Sequence, residues 1–359
     1  MELKKDIRAL SLEELKAVFV ENGDQAFRAK QVYEWLWKKS AITFDEMTNL
    51  SKPTRELLNT HFVINAVKVD DMQISKDRTI KNAFKLYDSN IVEGVLIPST
   101  TRMTACISSQ VGCSLTCKFC ATGKLERLRN LNADEIYDQV VLIKNQAEEK
   151  YKTPLKNIVY MGMGEQLLNY KNVMNTKKKI TSPEGLNMSQ QRITVSTAGV
   201  SKMIKKLGDD GAKFNLALSL HAANDEKRNH IMPINESNTL EALAEALKYF
   251  YEKTETRVTY EYIAFKDFND SLEDAQDLAK FCKHIPCKVN IIEYNPIDDG
   301  EFQQTTTERL DAFAKYLESK NIIVNVRRSR GKDIDAACGQ LANKNKEGFE
   351  KRKMKVVKE

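Results

Sequence analysis

Residues 113–123 read CSLTCKFCATG, and an apolar run of strand character, MTACIS (103–108), comes just before them. The thiols of Cys113, Cys117 and Cys120 follow the spacing Cys-x3-Cys-x2-Cys. Structural zinc usually takes four Cys or His ligands, commonly in two separated pairs. Here no fourth Cys or His follows nearby. Three thiolates can hold three irons of a [4Fe–4S] cluster and leave the fourth iron open to a substrate atom. Phe119, directly before the last cysteine, would shield such a cluster. The competing readings are chance clustering, or a zinc site completed by the distant His221.

Outward from that loop the chain alternates strand and helix. Further apolar strand candidates are NIVYMGMG (157–164), RITVSTA (192–198), NLALSLH (215–221), VTYEYIAF (258–265), KVNIIEYN (288–295) and NIIVNVRRS (321–329). Helical stretches such as NADEIYDQVVLIKNQAEEK and LEALAEALKYFYEK lie between them. Repeated βα units imply a parallel α/β sheet with its function at the carboxyl ends of the strands. Six such units before residue 295 predict a partial (βα)6 barrel.

The N-terminal stretch has a different character. SLEELKAVFVENG opens with Ser11 as N-cap and Glu14 in capping-box position. QAFRAKQVYEWLWKK carries Phe27, Val32, Trp35 and Leu36 on one stripe, with Arg28, Lys30, Lys38 and Lys39 around it. That helix reads either as core packing or as a basic, aromatic RNA-docking surface. The β-rich residues 62–97 then join it to the alternating strand–helix region. The expected division is a helical accessory domain over 1–60, a small β linker over 61–98, the core over 99–335 and a C-terminal segment over 336–359.

Composition narrows the function classes. The chain of 359 residues is 42% hydrophobic and 30% charged, as a soluble globular protein is. No stretch approaches the roughly 20 uninterrupted apolar residues of a membrane helix. The N-terminus shows no apolar signal region, so a cytoplasmic protein with no membrane partner is expected. Seven cysteines, an odd number, argue against a disulfide framework and for metal or redox chemistry. The net charge of +6 is modest, yet seven Lys/Arg against three acidic residues crowd Asn343–Glu359, and Lys177–Lys179 form a second basic knot. A phosphate-bearing partner would gain from both.

The cysteine spacing with Phe119 resembles the radical S-adenosylmethionine (SAM) superfamily, and MGMGE (161–165) after the next strand candidate supports the match. The resemblance is closer still to the RlmN-type RNA methyltransferases. It runs through EGVLIP, CISSQVGCSLTCKFCATG, TVSTAG (194–199), SLHA (219–222), YNP (294–296) and DIDAACGQL (333–341), and includes FRAKQVYEWLW near the N-terminus. It implies a radical SAM barrel with a helical accessory domain. The implied activity is methylation of C2 of an adenine in 23S rRNA and of an adenine beside the tRNA anticodon. The implied cofactors are one [4Fe–4S] cluster on Cys113, Cys117 and Cys120, and SAM, whose reductive cleavage yields a 5′-deoxyadenosyl radical. An electron donor such as a flavodoxin or ferredoxin, 23S rRNA and tRNA are the implied partners, and a monomer is expected.

Site roles are assigned residue by residue from the same resemblance. Cys338 matches the cysteine that is methylated and then linked to the adenine. Cys106 matches the thiol that resolves this adduct through a transient disulfide with Cys338, and Glu93 matches the proton acceptor. Gly164 and Glu165 match the methionine-binding segment. Ser196, Ser219, Leu220, His221 and Asn295 match the rest of the SAM site. Read without the resemblance, Cys106 is a packed strand thiol and His221 a satisfied structural histidine. Cys282 and Cys287 match nothing catalytic and read as packed thiols. Gln166 stands where the family has proline, and its freer backbone is expected to loosen the loop. The nearest rival is a Cfr-type enzyme, which uses the same thiols on C8 of the adenine.

Overall fold

In the computed structural model, which describes residues 4–343, the chain starts with a short strand β1 (Lys5–Asp6) and three helices. These are α1 (Leu12–Glu21), α2 (Arg28–Trp37) and α3 (Lys52–His61), after which β2 (Phe62–Val63) pairs parallel with β1. The Ser11–Glu14 capping box forms as expected. On α2, Ala29, Val32, Leu36 and Trp37 are buried. The Trp37 ring meets Tyr137 edge-on at 5.2 Å, and the Tyr137 hydroxyl donates to the Trp37 carbonyl. Trp37 is therefore core. Trp35 is only half-buried, with the Lys39 ammonium 3.7 Å from its ring centroid.

Strands β3 (Lys68–Ile74), β4 (Ile80–Lys85) and β5 (Ile91–Pro98) form an antiparallel meander that leads into β6 (Met103–Cys106). The short pair β7 (Gln110–Val111) and β8 (Arg129–Asn130) then brackets the cysteine loop. From here the order is α4 (Ala133–Tyr151), β9 (Leu155–Tyr160), α5 (Tyr170–Thr181), β10 (Ile193–Thr197), α6 (Ser201–Asp209) and β11 (Asn215–Ser219). The chain continues through α7 (Asp225–Ile231), α8 (Leu240–Thr254), β12 (Val258–Ala264), α9 (Leu272–Phe281), β13 (Cys287–Glu293), α10 (Thr307–Ser319) and β14 (Ile323–Arg327).

All seven apolar runs from residue 103 onward form strands of one sheet, in the order β14-β13-β12-β11-β10-β9-β6-β5-β4-β3. Every neighbour pair from β6 to β14 is parallel. The result is the expected radical SAM-type open barrel, with β14 added after six βα units and the antiparallel meander continuing the other edge. Helices cover the sheet, so every residue of β12 is buried, as a strand packed on both faces requires. The parallel strands deliver their carboxyl ends, and the loops after them, to one rim.

One buried ionic cluster fastens the N-terminal helices to this core. Arg8 lies 3.1 Å from Asp6, 3.1 Å from Asp134 and 2.8 Å from Asp138. Asp6 also accepts the Asn65 N–H at 2.8 Å, and Asp138 accepts the Val67 N–H at 3.0 Å. One guanidinium cannot compensate three buried carboxylates. Burial pushes Asp134 up to about 7 against the pull of Arg8, and repulsion from Asp6 and Asp138 adds to the shift. The folded state then binds more protons than the unfolded chain between the ordinary carboxylate range and neutrality, so stability falls as pH rises through that window. Relative to Asp134→Asn, the urea midpoint of the unaltered protein should accordingly drop between about pH 5 and pH 8. A difference between the two that stays constant with pH, or grows in favour of the unaltered protein, contradicts this.

Candidate active site

The cysteine loop is shaped by its own backbone. β7 and β8 close its base, where the Leu128 N–H donates to the Val111 carbonyl. Inside, the Cys120 N–H donates to the Cys117 carbonyl at 3.2 Å, and the Gly123 N–H to the Cys120 carbonyl at 3.0 Å. Cys113, Cys117 and Cys120 line one cavity of about 160 Å³ together with Gly164, Glu165, Ser196, Ser219, His221 and Cys338. Burial first of all raises the three thiol pKa values, that of Cys113 to about 11, so a metal must displace protons to bind them. Among the described residues no group of three or more Cys, His, Asp or Glu is arranged to hold a single metal ion.

The donor set fits an anionic group held by these thiolates. Arg228 is wholly buried. Its guanidinium donates to the carbonyls of Leu220, Ala198 and Ser219 and to Asn235 Oδ1. Among the described residues it has no carboxylate within ion-pair distance, and its charge acts to favour the Cys117 thiolate. A buried cation without a partner is costly. Thiolate sulfur offers the compensation.

Glu165 ties two strand ends together. Its Oε1 accepts from the Thr197 hydroxyl at 2.8 Å and the Leu167 N–H at 3.0 Å, and its Oε2 from the Ala198 N–H at 2.7 Å. Burial raises its pKa and these hydrogen bonds oppose the rise. The preceding glycines are demanded by close approach. A Cβ on Gly164, whose φ is +99°, would sit 2.5 Å from the Gln110 side chain, and one on Gly162 would meet Ser108 Oγ at 2.5 Å. Gln166 does not loosen this loop. It is buried, and its Nε2 donates to the Gly164 carbonyl at 3.0 Å. The side-chain hydrogen bond supplies a restraint that a proline ring would supply through φ.

Other residues named from the sequence gather close by. Ser196 and Ser219, at the ends of β10 and β11, face each other at 3.4 Å. His221 has φ +57° and stacks edge-on against Phe119 at 4.7 Å. Its Nδ1 accepts the Ile263 N–H at 3.1 Å, which puts the ring proton on Nε2, and burial pushes its pKa down to about 3. The Leu220 side chain is buried behind the wall. Asn295 is buried as well, and its Nδ2 reaches the Cys338 carbonyl at 3.4 Å.

The C-terminal segment crosses the rim. Its Gly339 carbonyl accepts from the Ala121 N–H at 2.7 Å, and its Leu341 carbonyl from the Thr122 hydroxyl at 2.6 Å. The Ala342 and Asn343 N–H groups both donate to Glu93 Oε2, at 2.8 and 3.1 Å. Glu93 is buried, with Lys81 3.6 Å from its other oxygen. Cys106, the last residue of β6, is buried and close enough to Cys338 to feel its charge. Burial, then Cys338, pushes Cys106 up to about 12. The basic tail positions Lys351, Arg352, Lys353 and Lys355 lie outside the described residues.

Known proteins resemble this chain over nearly its whole length. Residues 5–64 match the family described as ribosomal RNA large subunit methyltransferase N-terminal domain, and residues 107–282 match the radical SAM superfamily. The probable dual-specificity RNA methyltransferase RlmN of Christiangramia forsetii is 64% identical over 95% of this chain and 97% of its own length. Its counterpart in Flavobacterium psychrophilum is 61% identical over 95% and 98%. The crystal structure of a radical SAM methyltransferase from Sphaerobacter thermophilus superposes with a TM-score of 0.89, at 37% identity, over 94% of this chain and 99% of that one. The chain belongs to the RlmN family of radical SAM RNA methyltransferases.

Several residues of this RlmN-family site escaped the sequence reading. Thr197 holds Glu165, and Arg228 supplies the buried cation. Glu261 and Arg327 form a 3.3 Å pair on the cavity wall, where Arg327 feels both Cys338 and Cys106. TVSTAG did contain Thr197, and an arginine two residues before the end of the NIIVNVRRS run marked a charged strand end. Arg228 had no local signal. The Glu165 cradle makes one firm prediction. Glu165→Gln turns an amide N–H toward backbone donors and should cost roughly 1–3 kcal/mol, read as a lower midpoint in denaturant. An unchanged midpoint contradicts it.

Proposed function

We propose that this chain methylates C2 of an adenine in 23S rRNA and of the adenine 3′ to the anticodon in tRNA, through a methyl carried on Cys338. Membership of the RlmN family supports RNA as the substrate. The observation that carries the reading is the seating of Cys338 on the cavity that Cys113, Cys117 and Cys120 line, with Cys106 behind it. Adenine C2 is an electrophilic, amidine-like carbon, so it cannot attack a sulfonium methyl as a nucleophile would. A cysteine that first takes the methyl and then delivers its carbon avoids that difficulty.

Cys113, Cys117 and Cys120 would hold the [4Fe–4S] cluster, and Gly164, Glu165, Ser196, Ser219, Leu220, His221 and Asn295 would surround SAM. When bound, the pair supplies the methyl group and the one-electron chemistry that makes it reactive. The Cys338 thiolate accepts the methyl, and burial of its sulfur opposes ionisation while Arg327 favours it. Once the S-methyl carbon is bonded to C2, Glu93 takes the C2 proton. Cys106, having lost its proton, then attacks the Cys338 sulfur; the bond from sulfur to the transferred CH2 breaks, its electron pair passes to that carbon and the adenine ring, the carbon takes a proton to become the methyl, and a Cys106–Cys338 disulfide remains. Ala342 and Asn343 now occupy Glu93, so the base reaches it after residues 341–343 lift away.

RNA approaches past α2. There Lys179 lies 3.9 Å from the Tyr33 ring centroid and 4.4 Å from that of Trp37, which joins the Lys177–Lys179 knot to the accessory helix. Lys30, Lys38, Lys39 and Lys178 would hold phosphates while reading little sequence. A splayed, single-stranded nucleotide reaches a thiol set in the cavity wall better than a paired one does. The protein would act in the cytoplasm as a monomer, with a flavodoxin or ferredoxin as its reductant.

Cys113→Ala, Cys117→Ala and Cys120→Ala should each lose the iron and leave SAM uncleaved. Full iron content and cleavage in any one of them removes the cluster assignment. Cys106→Ala should accumulate a covalent enzyme–RNA species on a denaturing gel, and Cys338→Ala should form none. Free protein in both cases overturns the two-thiol route. Nucleoside mass spectrometry of the wild-type product should show 2-methyladenosine, and 8-methyladenosine would assign the C8 reaction instead.

A further inference from the structure

A second pair of thiols lies at the opposite end of the barrel. Cys282 caps the C-terminus of α9 and Cys287 opens β13. The four residues between them fold the chain back so that both thiols line one cavity, each close enough to shift the other's ionisation. As a thiol, Cys287 donates its S–H to the Cys282 carbonyl oxygen at 3.6 Å, a bond that its ionisation gives up. β13 is seven residues long, about 20 Å at ~3.3 Å per residue. The pair is thus a strand's length away from Cys338 and cannot exchange directly with it.

The surroundings suit thiol chemistry. Cys282 is buried, whereas Cys287 is partly open to a cavity of about 290 Å³ lined by Arg257, Lys283 and Lys320 and by no acidic side chain. A hydrogen bond from the Cys282 thiol to the Cys287 thiolate, and beyond it Arg257, hold Cys287 below the ordinary thiol range against burial, while the same hydrogen bond raises Cys282. Tyr260 adds an independent sign. Its hydroxyl is fully buried, has no hydrogen-bond partner, and feels both sulfurs. An orphaned donor there can serve a sulfur that carries charge.

We propose that Cys282 and Cys287 form a thiol–disulfide site, separate from the methyl-transfer thiols, that reacts with anionic low-molecular-weight disulfides. The Cys287 thiolate attacks one sulfur of RS–SR; RS⁻ leaves and takes a proton from solvent, and a mixed disulfide remains on Cys287. Cys282 then loses its proton to solvent and attacks the Cys287 sulfur, expelling the second RS⁻, which is protonated to RSH. The two protein thiols are oxidised to a disulfide and RS–SR is reduced to two thiols. A disulfide of about 2.05 Å would clamp the end of α9 to the start of β13. The three cations select for negative charge on the oxidant.

The test uses the cluster-loaded enzyme under argon, with oxidised glutathione as the anionic probe and 2-hydroxyethyl disulfide as the neutral one. Trypsin places Cys282 on the peptide 281–283 and Cys287 on 284–288. Glutathione should appear first on 284–288, after which the two peptides should be recovered linked. Cys282→Ser should stop at the mixed disulfide on Cys287, and Cys287→Ser should form neither product. Lys283→Glu with Lys320→Glu, both at exposed positions, should slow the anionic probe by about fivefold and leave the neutral one within about twofold. Modification of Cys282 first, absence of the linked peptides, or equal slowing of both probes would overturn the proposal.

Discussion

Residues 339–343 are held to the rim by hydrogen bonds to Ala121, Thr122 and Glu93, and everything the site can do depends on that attachment. Cys338 lies more than two hundred positions from the cysteine loop in sequence, so no local preference brings it there. The segment contributes main-chain groups throughout, but on the rim three of the four bonds end on side chains, the Thr122 hydroxyl and the Glu93 carboxylate, so the attachment depends on those two residues. Each such bond is worth about 1 kcal/mol net, and those to the Glu93 carboxylate somewhat more. The sum is enough to seat the segment and small enough for a bound nucleotide to displace it. Glu93 anchors the segment, and in the proposed reaction the same carboxylate would be freed to take a proton.

Charge around the sulfurs is arranged with the same economy. Arg228 is buried beside the cysteine loop with, among the described residues, no carboxylate within ion-pair distance, and Arg327 pairs with Glu261 while it feels Cys338 and Cys106. Both cations favour thiolate where burial alone would suppress it. Glu165 and Thr197 brace the glycine turn from behind, and Gln166 closes it from within.

The barrel was legible because apolar strand runs alternate with amphipathic helices at a period that packing enforces. MTACIS, RITVSTA and VTYEYIAF had few other options. The capping box at Ser11 was legible for the same local reason. The cysteine loop could be read because three thiols at close spacing have few other uses. Arg228, Glu261 and Arg327 could not, since single charged residues acquire meaning only when strand ends converge. The same holds for Arg8 with Asp134 and Asp138, which lie more than a hundred positions apart yet fasten the N-terminal helices. Gln166 misled in the other direction: loss of a proline suggested slack, and the side chain supplied a restraint that backbone reasoning did not include.

The central claim is that Cys338 carries the methyl before any RNA is present. Incubating the reduced, cluster-loaded enzyme with methyl-deuterated SAM in the absence of RNA, followed by peptide mass spectrometry, tests it most directly. The account predicts a labelled methyl on the peptide containing Cys338 and none on that containing Cys106. An unmodified Cys338, or label on Cys106 instead, would contradict it.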